Sequence, residues 1–480
     1  QLLREPEAAL QVLEPSLPRH LECFGPSHHA VREVRWLIGL TLRRLERYDE
    51  AAEVLETALT DAAKDPDHQP FLRANLELEL ARVEDRRGHE DRALELYRAA
   101  TETRARHLGP THRDTLIARR FWARQLSDQQ RIDECIEQYR ILCDGWRECR
   151  PRAPGDWAKS DLEFAEVLRK AKQLDEALAR LVPWTVPGSE SAPAGEIDAD
   201  EQDAIGVALS WIQRDRGDHD AALRTCEALE SLRRSRYGPD DDETQQAALW
   251  VAISLRRVER WSDAIARLAP IVQRRRETAG ANDEQFRSAL LNLALAEDGA
   301  GSEADAIAAY EELVALERAD DPRDADDFAR HLDRLADLYR DRDQLEKALE
   351  LRVEQVAVSR AAHGPSTRLL RPLYDLGRNQ LDLGRWDDAK RTLTESVELH
   401  RELRGEHSLG LLLSLRRLAE ARVELGDFEG AERDALAAYR GLEATRDPGD
   451  RYLRGARNLL ATLYRRWGRA EEAAKWEAEP

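Results

Sequence analysis

Pairs of adjacent acidic residues are the most suggestive chemical groups in this sequence. They occur at Asp49-Glu50, Asp133-Glu134, Asp175-Glu176 and Glu471-Glu472. Two neighbouring carboxylates can act as general acid and general base when their pKa values differ. These pairs, however, recur at a fixed spacing and each lies in the first turn of a helical pattern, where negative charge favours the helix dipole. We therefore expect them to stabilise helix starts, and we predict no catalytic residues.

Histidines are the next candidates, because an imidazole can bind a metal ion. His28, His68, His112 and His407 occupy similar positions between helical segments in distant parts of the chain. Side chains that recur so far apart cannot share one ion, so we expect these histidines to cap turns. The sequence therefore predicts no metal site and no bound cofactor.

The five cysteines are an odd number, and no two have the Cys-x-x-Cys spacing of zinc or redox sites. We therefore expect no disulfide framework, and we expect a reducing, cytoplasmic location. Cys135 occupies a position otherwise held by small core residues. A reactive role stays open for Cys143 and Cys149.

Composition and charge exclude several classes of function. Charged residues make up 35% of the 480 residues, and the formal net charge is −20. Such a charge repels a polyphosphate backbone, so we expect no nucleic-acid partner. No apolar run of about eighteen residues and no signal-peptide pattern occurs, so we expect no membrane partner. Because the sequence begins at Gln1 and contains no Met, we expect it to be part of a longer protein.

Common catalytic motifs are also missing. The sequence has no Gly-x-x-x-x-Gly-Lys phosphate loop, no His-Glu-x-x-His zinc motif and no Gly-x-Ser-x-Gly nucleophile turn. We therefore predict a protein that is not an enzyme. The alternative left open is an enzyme with a cryptic site, in which polar groups from several repeats would converge in one enclosed pocket.

A fixed period runs through the whole chain. A small residue, which we call the anchor, follows a turn and one or two acids at intervals of 42 residues, with one interval of 45 and one of 41. The anchors are Ala9, Ala51, Ala93, Cys135, Ala177, Ala222, Ala264, Ala306, Ala348, Ala389, Ala431 and Ala473. Periods of this length indicate stacked supersecondary units rather than globular domains.

Two further columns keep the same period. The residue twelve before each anchor is small, as in Gly39 and Gly377, and the residue before it is large and apolar, as in Ile38 and Leu376. Small residues let two helices approach closely, while large neighbours fill the space between successive hairpins. The pattern predicts an all-α solenoid in which each hairpin buries its apolar face against its neighbours.

Turn residues mark where the helices end. Glycine lies five residues before many anchors, where a first helix must end and the chain reverse. Gly-Pro pairs close second helices and are separated by two or three periods; they are Gly25-Pro26, Gly109-Pro110, Gly238-Pro239 and Gly364-Pro365. Pro15, Pro183 and Pro270 each lie six residues after an anchor and predict a kink or an early helix end.

This pattern resembles the tetratricopeptide repeat (TPR). Its 42-residue form with a Gly-Pro link, as in residues 108–115 and 237–244, is similar to the kinesin-light-chain subtype. The resemblance implies a right-handed superhelical alpha-solenoid of about eleven helix-turn-helix repeats plus a partial repeat at the amino end. The subtype typically has two adjacent Asn residues in its groove, whereas only Asn292 and Asn458 correspond here, so its cargo preference is not carried over.

One irregular stretch interrupts the period. Residues 183–203 contain a run rich in Pro, Gly and Ser that cannot continue a helix, and we expect a surface loop and a hinge there. The predicted organisation is a partial repeat at 1–24, an amino-terminal set of repeats at 25–182, the loop at 183–203 and a carboxy-terminal set at 204–480.

The first helices of such repeats are expected to line a groove. The columns fifteen and eleven residues before the anchors are apolar in the middle repeats, and the column eight before is rich in arginine. We expect a peptide or protein with hydrophobic anchors and acidic flanks to bind there. The predicted binding residues are Val207, Trp211, Arg214, Leu249, Ile253, Arg256, Leu291, Asn292, Leu295, Arg340, Tyr374 and Arg378.

Packing explains the same columns equally well. The apolar strip would be buried in a tight superhelix, and the arginines would pair with acids of neighbouring repeats. Self-association is a further alternative. The function that we expect is a protein-interaction scaffold or a regulatory or sensor module, as part of a larger bacterial signalling protein; an autoinhibitory domain of a fused kinase, ATPase or caspase-type protease stays open.

Overall fold

The computed structural model describes residues 5–64, 69–149, 154–185, 197–278, 283–319, 324–447 and 449–477. These residues form 23 α-helices and two short 3-10 helices, and no strand occurs among them. The all-α prediction is therefore confirmed. The helices alternate between first and second members of hairpins, so eleven hairpins follow α1.

The first helices are eleven in number. They are α2 (His29–Arg44), α4 (Pro70–Arg86), α6 (Arg113–Asp128), α8 (Gly155–Lys170), α10 (Ala199–Arg216), α12 (Asp242–Arg257), α14 (Glu284–Gly299), α16 (Ala325–Asp341), α18 (Leu370–Asp382), α20 (Leu409–Glu424) and α22 (Arg451–Arg466).

The second helices all begin three residues before an anchor, so the period and the helix starts are in phase. They are α1 (Pro6–Phe24), α3 (Tyr48–Ala63), α5 (Glu90–Leu108), α7 (Ile132–Cys149), α9 (Leu174–Leu181), α11 (His219–Tyr237), α13 (Trp261–Thr278), α15 (Glu303–Ala319), α17 (Leu345–His363), α19 (Trp386–Arg404), α21 (Phe428–Glu443) and α23 (Ala470–Glu477). The 3-10 helices are Val182–Trp184 and Thr367–Leu369.

Close packing explains the anchors and the small column. Every anchor side chain is buried. A Cβ atom added to Gly39 would lie 2.4 Å from Cγ of Leu55, and one added to Gly377 would lie 2.5 Å from Cγ of Leu393. The two leucines occupy the same position in their second helices. The same kind of glycine–leucine contact therefore joins the first and second helix in each of these hairpins.

The turn between the two helices has a left-handed residue in every hairpin. Glycine fills this position six times with positive φ, for example φ 77° at Gly301. Five other residues adopt the same conformation at the equivalent position, with φ between 57° and 62°. They are Glu46, Gln130, Lys172, Glu259 and Asp343. The backbone of the repeat therefore requires this conformation whatever the residue type.

The predicted effects of proline differ by site. Helix α9 has only 8 residues and gives way to the 3-10 helix that contains Pro183, as the early-end prediction requires. Helices α1 and α13 continue through Pro15 and Pro270. Residues 186–196 of the predicted loop lie outside the described residues, and the hinge stays a prediction; residues 199–203 belong to α10.

The chain divides into two compact units, Gln1–Ser254 and Leu255–Pro480. In the first unit a continuous apolar core runs from Leu10 to Ala118 through buried Ile38, Leu55 and Leu80, and a second core runs from Leu94 to Ile212. In the second unit separate clusters lie between successive hairpins, for example around Leu393 and Leu415. No helix among the described residues is long and apolar enough to span a membrane.

Candidate functional site

The predicted binding residues of the first unit lie on α10 and α12. Trp211 is 37% exposed, and the Arg214 guanidinium lies 4.1 Å from the centre of its ring. Val207 and Ile253 are half-buried, whereas Leu249 is 5% exposed and therefore part of the interior. Only part of the predicted apolar strip is therefore accessible to a partner.

In the second unit the predicted residues around α14 contact one another. Arg256 Nε donates to Asn292 Oδ1 at 3.2 Å, and Asn292 Nδ2 donates to the Ser288 carbonyl oxygen at 2.7 Å. Asn292 is buried, while Leu291 and Leu295 are half-buried. The Asn292 amide is thus used inside the protein.

The remaining predicted residues lie in a charge network between α16 and α18. Arg378 lies 3.2 Å from Asp375 and 3.7 Å from Asp337, and Arg340 lies 3.3 Å from Asp337. The buried Arg352 Nη2 donates to Asp337 at 2.6 Å. Tyr374 is half-buried beside this network. Arg378 also pairs with Asp337 of the neighbouring repeat, whereas Arg340 pairs with Asp337 on its own helix.

Part of the arginine column follows a geometric rule. At three places the residue eight before one anchor contacts the residue fourteen before the next anchor, and the separation along the chain is 36 residues. Arg43 Nε donates to Glu79 Oε2 at 2.9 Å by this rule. The contact between Arg256 and Asn292 obeys this rule. Asp298 and Arg334 obey it with the charges exchanged, because here the acid comes first in the chain and the arginine second. At these three positions the column therefore joins neighbouring repeats.

A cleft of about 530 Å³ opens across α2, α4 and α6, and we call it the arginine cleft. Its lining consists of five arginines, three acidic residues, three aromatic residues and one glutamine. The residues are Arg43, Arg44, Arg82, Arg86, Arg124, Glu46, Asp85, Asp128, Tyr97, Phe121, Tyr48 and Gln125. The cleft is therefore cationic although the whole chain is anionic.

The floor of the arginine cleft is aromatic. The rings of Tyr97 and Phe121 are stacked with centroids 6.0 Å apart, and the Arg82 guanidinium lies 4.2 Å from the centre of Phe121. Burial, together with Asp85, raises the pKa of Tyr97 well above its ordinary value, so its hydroxyl stays neutral. Tyr97 is 3% exposed and Phe121 is half-buried, so the aromatic surface that a ligand can reach belongs chiefly to Phe121.

Two charged groups of the cleft are available to a ligand. Arg86 and Arg124 are exposed, and neither makes a hydrogen bond or an ion pair with a described residue. Gln125 is 3% exposed, and its Nε2 has no acceptor in the described part of the protein. By contrast, Arg82 Nη1 donates to Glu79 at 2.8 Å.

Two segments of the chain match models of a known repeat family. Residues 327–402 match a family model described as tetratricopeptide repeat, and residues 33–60 match a second model with the same description. The chain contains tetratricopeptide repeats. The prediction made from the 42-residue period is thus confirmed. Such repeats generally bind proteins or peptides and are generally not catalytic.

Several solved structures are similar to this TPR chain. The crystal structure of BtubC (BKLC) from P. vanneervenii has a TM-score of 0.42 and 15% identity, over 50% of this chain and 94% of that one. TPR-like repeats of a putative kinesin light chain from Podosopora anserina have a TM-score of 0.35 and 20% identity, over 42% and 97%. The apo form of RapI has a TM-score of 0.41 and 14% identity, over 57% and 74%. No curated protein matches the sequence.

The histidine and cysteine positions fit structural roles in the TPR hairpins. His28 Nδ1 accepts from the Ala30 backbone N–H at 3.3 Å, and His112 Nδ1 accepts from that of Asp114 at 3.2 Å, so both cap first helices. His68 lies outside the described residues, and His407 is exposed. No group of three His, Cys, Asp or Glu side chains in the described ranges is placed to hold a metal ion.

The cysteines are all free thiols. Cys135 is fully buried at an anchor, and burial raises its pKa to about 12, as expected for a core residue. Burial also raises the pKa of Cys143 well above its ordinary value, which disfavours a nucleophilic role. Cys149 is exposed, and its pKa is raised, again chiefly by burial.

Sequence reasoning did not find the arginine cleft as a unit. Arg124 belongs to the column eleven before the anchor, which was expected to face a ligand, and so does Arg82. Arg44 and Arg86 share the position seven before the anchor, a repetition that could have been noticed. The sequence does not reveal which arginines are already paired, because that depends on side chains that the fold brings together, as it does for Arg43 and Glu79.

Proposed function

We propose that this TPR chain is a protein-interaction scaffold that binds an extended partner segment along its first helices. The observation that carries the proposal is the arginine cleft, where unpaired Arg86 and Arg124 lie around the Tyr97 and Phe121 floor. The arginine cleft lies entirely within the first unit.

The chemistry of the cleft selects the partner. A guanidinium group binds a carboxylate through two parallel hydrogen bonds, which a lysine cannot imitate. The half-buried Phe121 ring of the floor accepts an aliphatic or aromatic side chain. The ligand that fits is a protein segment with a hydrophobic anchor flanked by acidic residues.

The accessible part of the predicted strip supports a second contact on the same kind of surface. Trp211 is exposed on first helix α10, and Val207 and Ile253 are half-buried nearby in the repeat pattern. Exposed tryptophan with an arginine on its face is typical of residues that contribute strongly to interfaces. We propose that a longer partner also contacts Trp211.

The biological setting of the proposal rests on the sequence alone. A scaffold of this kind suits a regulatory or sensor segment of a larger signalling protein. In that setting the bound segment would belong either to a separate partner or to another domain of the same protein.

The test is selection of a random 12-residue peptide library on the immobilised full chain, followed by binding of individual peptides to variants. Arg86→Glu with Arg124→Glu reverses the charge of the cleft. Arg19→Glu with Arg106→Glu is the matched control, because both arginines are exposed and lie outside the cleft. Trp211→Ala with Ile253→Asp tests the second contact.

We expect selected peptides to be rich in Asp and Glu around one large apolar residue. Their affinity should fall at least tenfold in the cleft variant and stay within about twofold of the wild type in the control. Selection without enrichment of acids, or equal loss in both charge-reversed variants, would contradict the arginine cleft as the binding site. Loss only in the Trp211 variant would move the site to α10.

A further inference from the structure

A buried carboxylate lies behind the wall of the arginine cleft. Glu79 belongs to α4, and its side chain is only 7% exposed. Glu79 is not among the residues that line the cleft, although the two arginines that it contacts are. A buried charge is costly unless it is paired, so the contacts of Glu79 determine how this wall is built.

Glu79 holds two arginines of the cleft, one from each of two neighbouring hairpins. The Nε group of Arg43, on α2, donates to Glu79 Oε2 at 2.9 Å, and the Nη1 group of Arg82, on α4, donates to Glu79 Oε1 at 2.8 Å. Each carboxylate oxygen thus accepts from one guanidinium. The arginine side chains stay partly exposed, 25% for Arg43 and 27% for Arg82. The two cations are therefore held from behind and remain accessible from the cleft.

Arg82 is held a second time by an aromatic ring. Its guanidinium lies 4.2 Å from the centre of the Phe121 ring, which belongs to α6. A planar guanidinium that already has a carboxylate at one edge and a ring at its face loses little further freedom when a ligand binds. Such an arginine binds a carboxylate at a smaller cost in side-chain entropy than a mobile one.

The two held arginines still have donors for a ligand. Glu79 occupies only Nε of Arg43 and Nη1 of Arg82, and these two guanidinium groups make no other hydrogen bond to a residue in the described ranges. Both Nη groups of Arg43 are therefore available. This pair of donors suits an incoming carboxylate, which can accept two parallel hydrogen bonds.

The negative charge of Glu79 and its two contacts have opposite effects on an acidic ligand. By charge alone, a carboxylate beside the cleft repels such a ligand, whereas a carboxylate that orients two arginines favours its binding. We propose that Glu79 is a positioning residue of the arginine cleft, which holds Arg43 and Arg82 where they bind one acidic side chain of the partner. This inference rests on the proposed function and adds one requirement for the partner: an acidic residue next to the apolar residue that contacts Phe121.

The test compares two variants that remove the same charge. Glu79→Gln keeps the size of the side chain, but its amide nitrogen cannot accept from an arginine. Asp128→Asn is the matched comparison, because Asp128 lines the same cleft, is exposed, and has no hydrogen bond or ion pair with a described residue. Each protein is titrated with a labelled peptide selected on the full chain and with the same peptide in which one acid is replaced by its amide. The acid chosen is the one whose replacement weakens wild-type binding most.

We expect the wild type to prefer the acidic peptide over its amide by about tenfold or more, as for a hydrogen bond to a charged group. Glu79→Gln should lower this preference by at least about threefold, although the cleft becomes more positive. Asp128→Asn should keep the preference or raise it about twofold through Coulomb attraction. A general loss of stability would weaken binding of both peptides equally, so the ratio of affinities separates positioning from a structural role.

Arg82→Lys gives an independent measurement, because it preserves the charge but removes the planar group held between Glu79 and Phe121. It should lower the preference as Glu79→Gln does. An unchanged preference in both variants would overturn the inference. So would a rise in Glu79→Gln equal to that in Asp128→Asn, because Glu79 would then act only through its charge. Circular dichroism confirms that each variant is folded.

Charge reversal at Arg86 and Arg124 shows separately whether the peptide occupies the cleft. If that reversal leaves binding unchanged, the proposed function fails and this inference fails with it. If the reversal weakens binding while Glu79→Gln keeps the full preference for the acidic peptide, only the role of Glu79 is contradicted.

Discussion

Arg334 and Asp298 join two neighbouring repeats through paired hydrogen bonds, of which the one from Arg334 Nε to Asp298 Oδ2 measures 2.8 Å. They follow the 36-residue rule of Arg43 and Glu79 with the charges exchanged. The rule therefore determines which two positions contact each other, but not which of the two carries the positive charge. At Arg43 and Arg256 the column therefore contributes to cohesion between repeats.

This pair should show measurable coupling in stability. In a double-mutant cycle of Asp298→Ala and Arg334→Ala we expect a coupling free energy of about 0.5–1 kcal/mol, because Asp298 is only 17% exposed in its side chain. The measurement is the urea dependence of unfolding. The exposed pair Arg98 and Glu102, within one helix, is the control and should couple by less than about 0.5 kcal/mol. Equal coupling in the two cycles would contradict the account.

The fold was largely predictable because the period fixes local structure. The anchors give the phase of every second helix, since the small residue must sit where the two helices of a hairpin approach. Pro183 also indicated where α9 ends early. The distinction between the buried Leu249 and the accessible Ile253 was not predictable, because both belong to columns of the same helix and their exposure depends on neighbouring hairpins.

The left-handed turn offers a stabilising substitution. Glu259 has φ 59°, a conformation that costs a residue with a Cβ atom about 1–2 kcal/mol and costs glycine little. After the greater chain entropy of glycine in the unfolded state is subtracted, Glu259→Gly should stabilise the protein by about 0.5 kcal/mol. The control, Glu350→Gly at an exposed position inside α17, should destabilise it by about 0.5–1 kcal/mol. If both substitutions destabilised the protein, the left-handed conformation of Glu259 would not be strained.

Close approach of the two helices of a hairpin predicts a steric effect at Gly39. A methyl group there would lie 2.4 Å from Leu55 Cγ, so Gly39→Ala should cost about 1–3 kcal/mol in the free energy of unfolding. Gly206→Ala is the matched control, because its Cβ would lie 3.4 Å from Leu229 and the change improves helix propensity. It should be neutral or stabilising. Denaturant melts of both variants compare the two effects directly.

Asp161 predicts a pH dependence of stability. Burial raises its pKa to about 6 from an ordinary 3.8, although Cys143 and the Trp184 indole act in the opposite direction. Because the folded-state pKa is the higher one, stability is greatest below pH 4 with respect to this group and falls as pH rises through 6. The loss approaches about 2–3 kcal/mol.

The variant Asp161→Asn should remove that loss, since its amide oxygen still accepts from Trp184 but carries no charge. Wild-type unfolding midpoints in urea, followed by tryptophan fluorescence, should fall between pH 5 and pH 7.5, and those of Asp161→Asn should fall less. Asp133→Asn, at an exposed aspartate, controls for surface charge. An identical pH dependence of wild type and Asp161→Asn would show that Asp161 does not titrate in this range.

The most direct measurement for the central claim is the affinity of one selected acidic peptide for the wild type and for Arg86→Glu with Arg124→Glu, by fluorescence anisotropy at 50 and 300 mM salt. A cationic cleft predicts that wild-type binding weakens severalfold at high salt and that charge reversal lowers affinity at least tenfold at low salt. Affinity that is insensitive to both changes would contradict recognition of acidic segments by the arginine cleft.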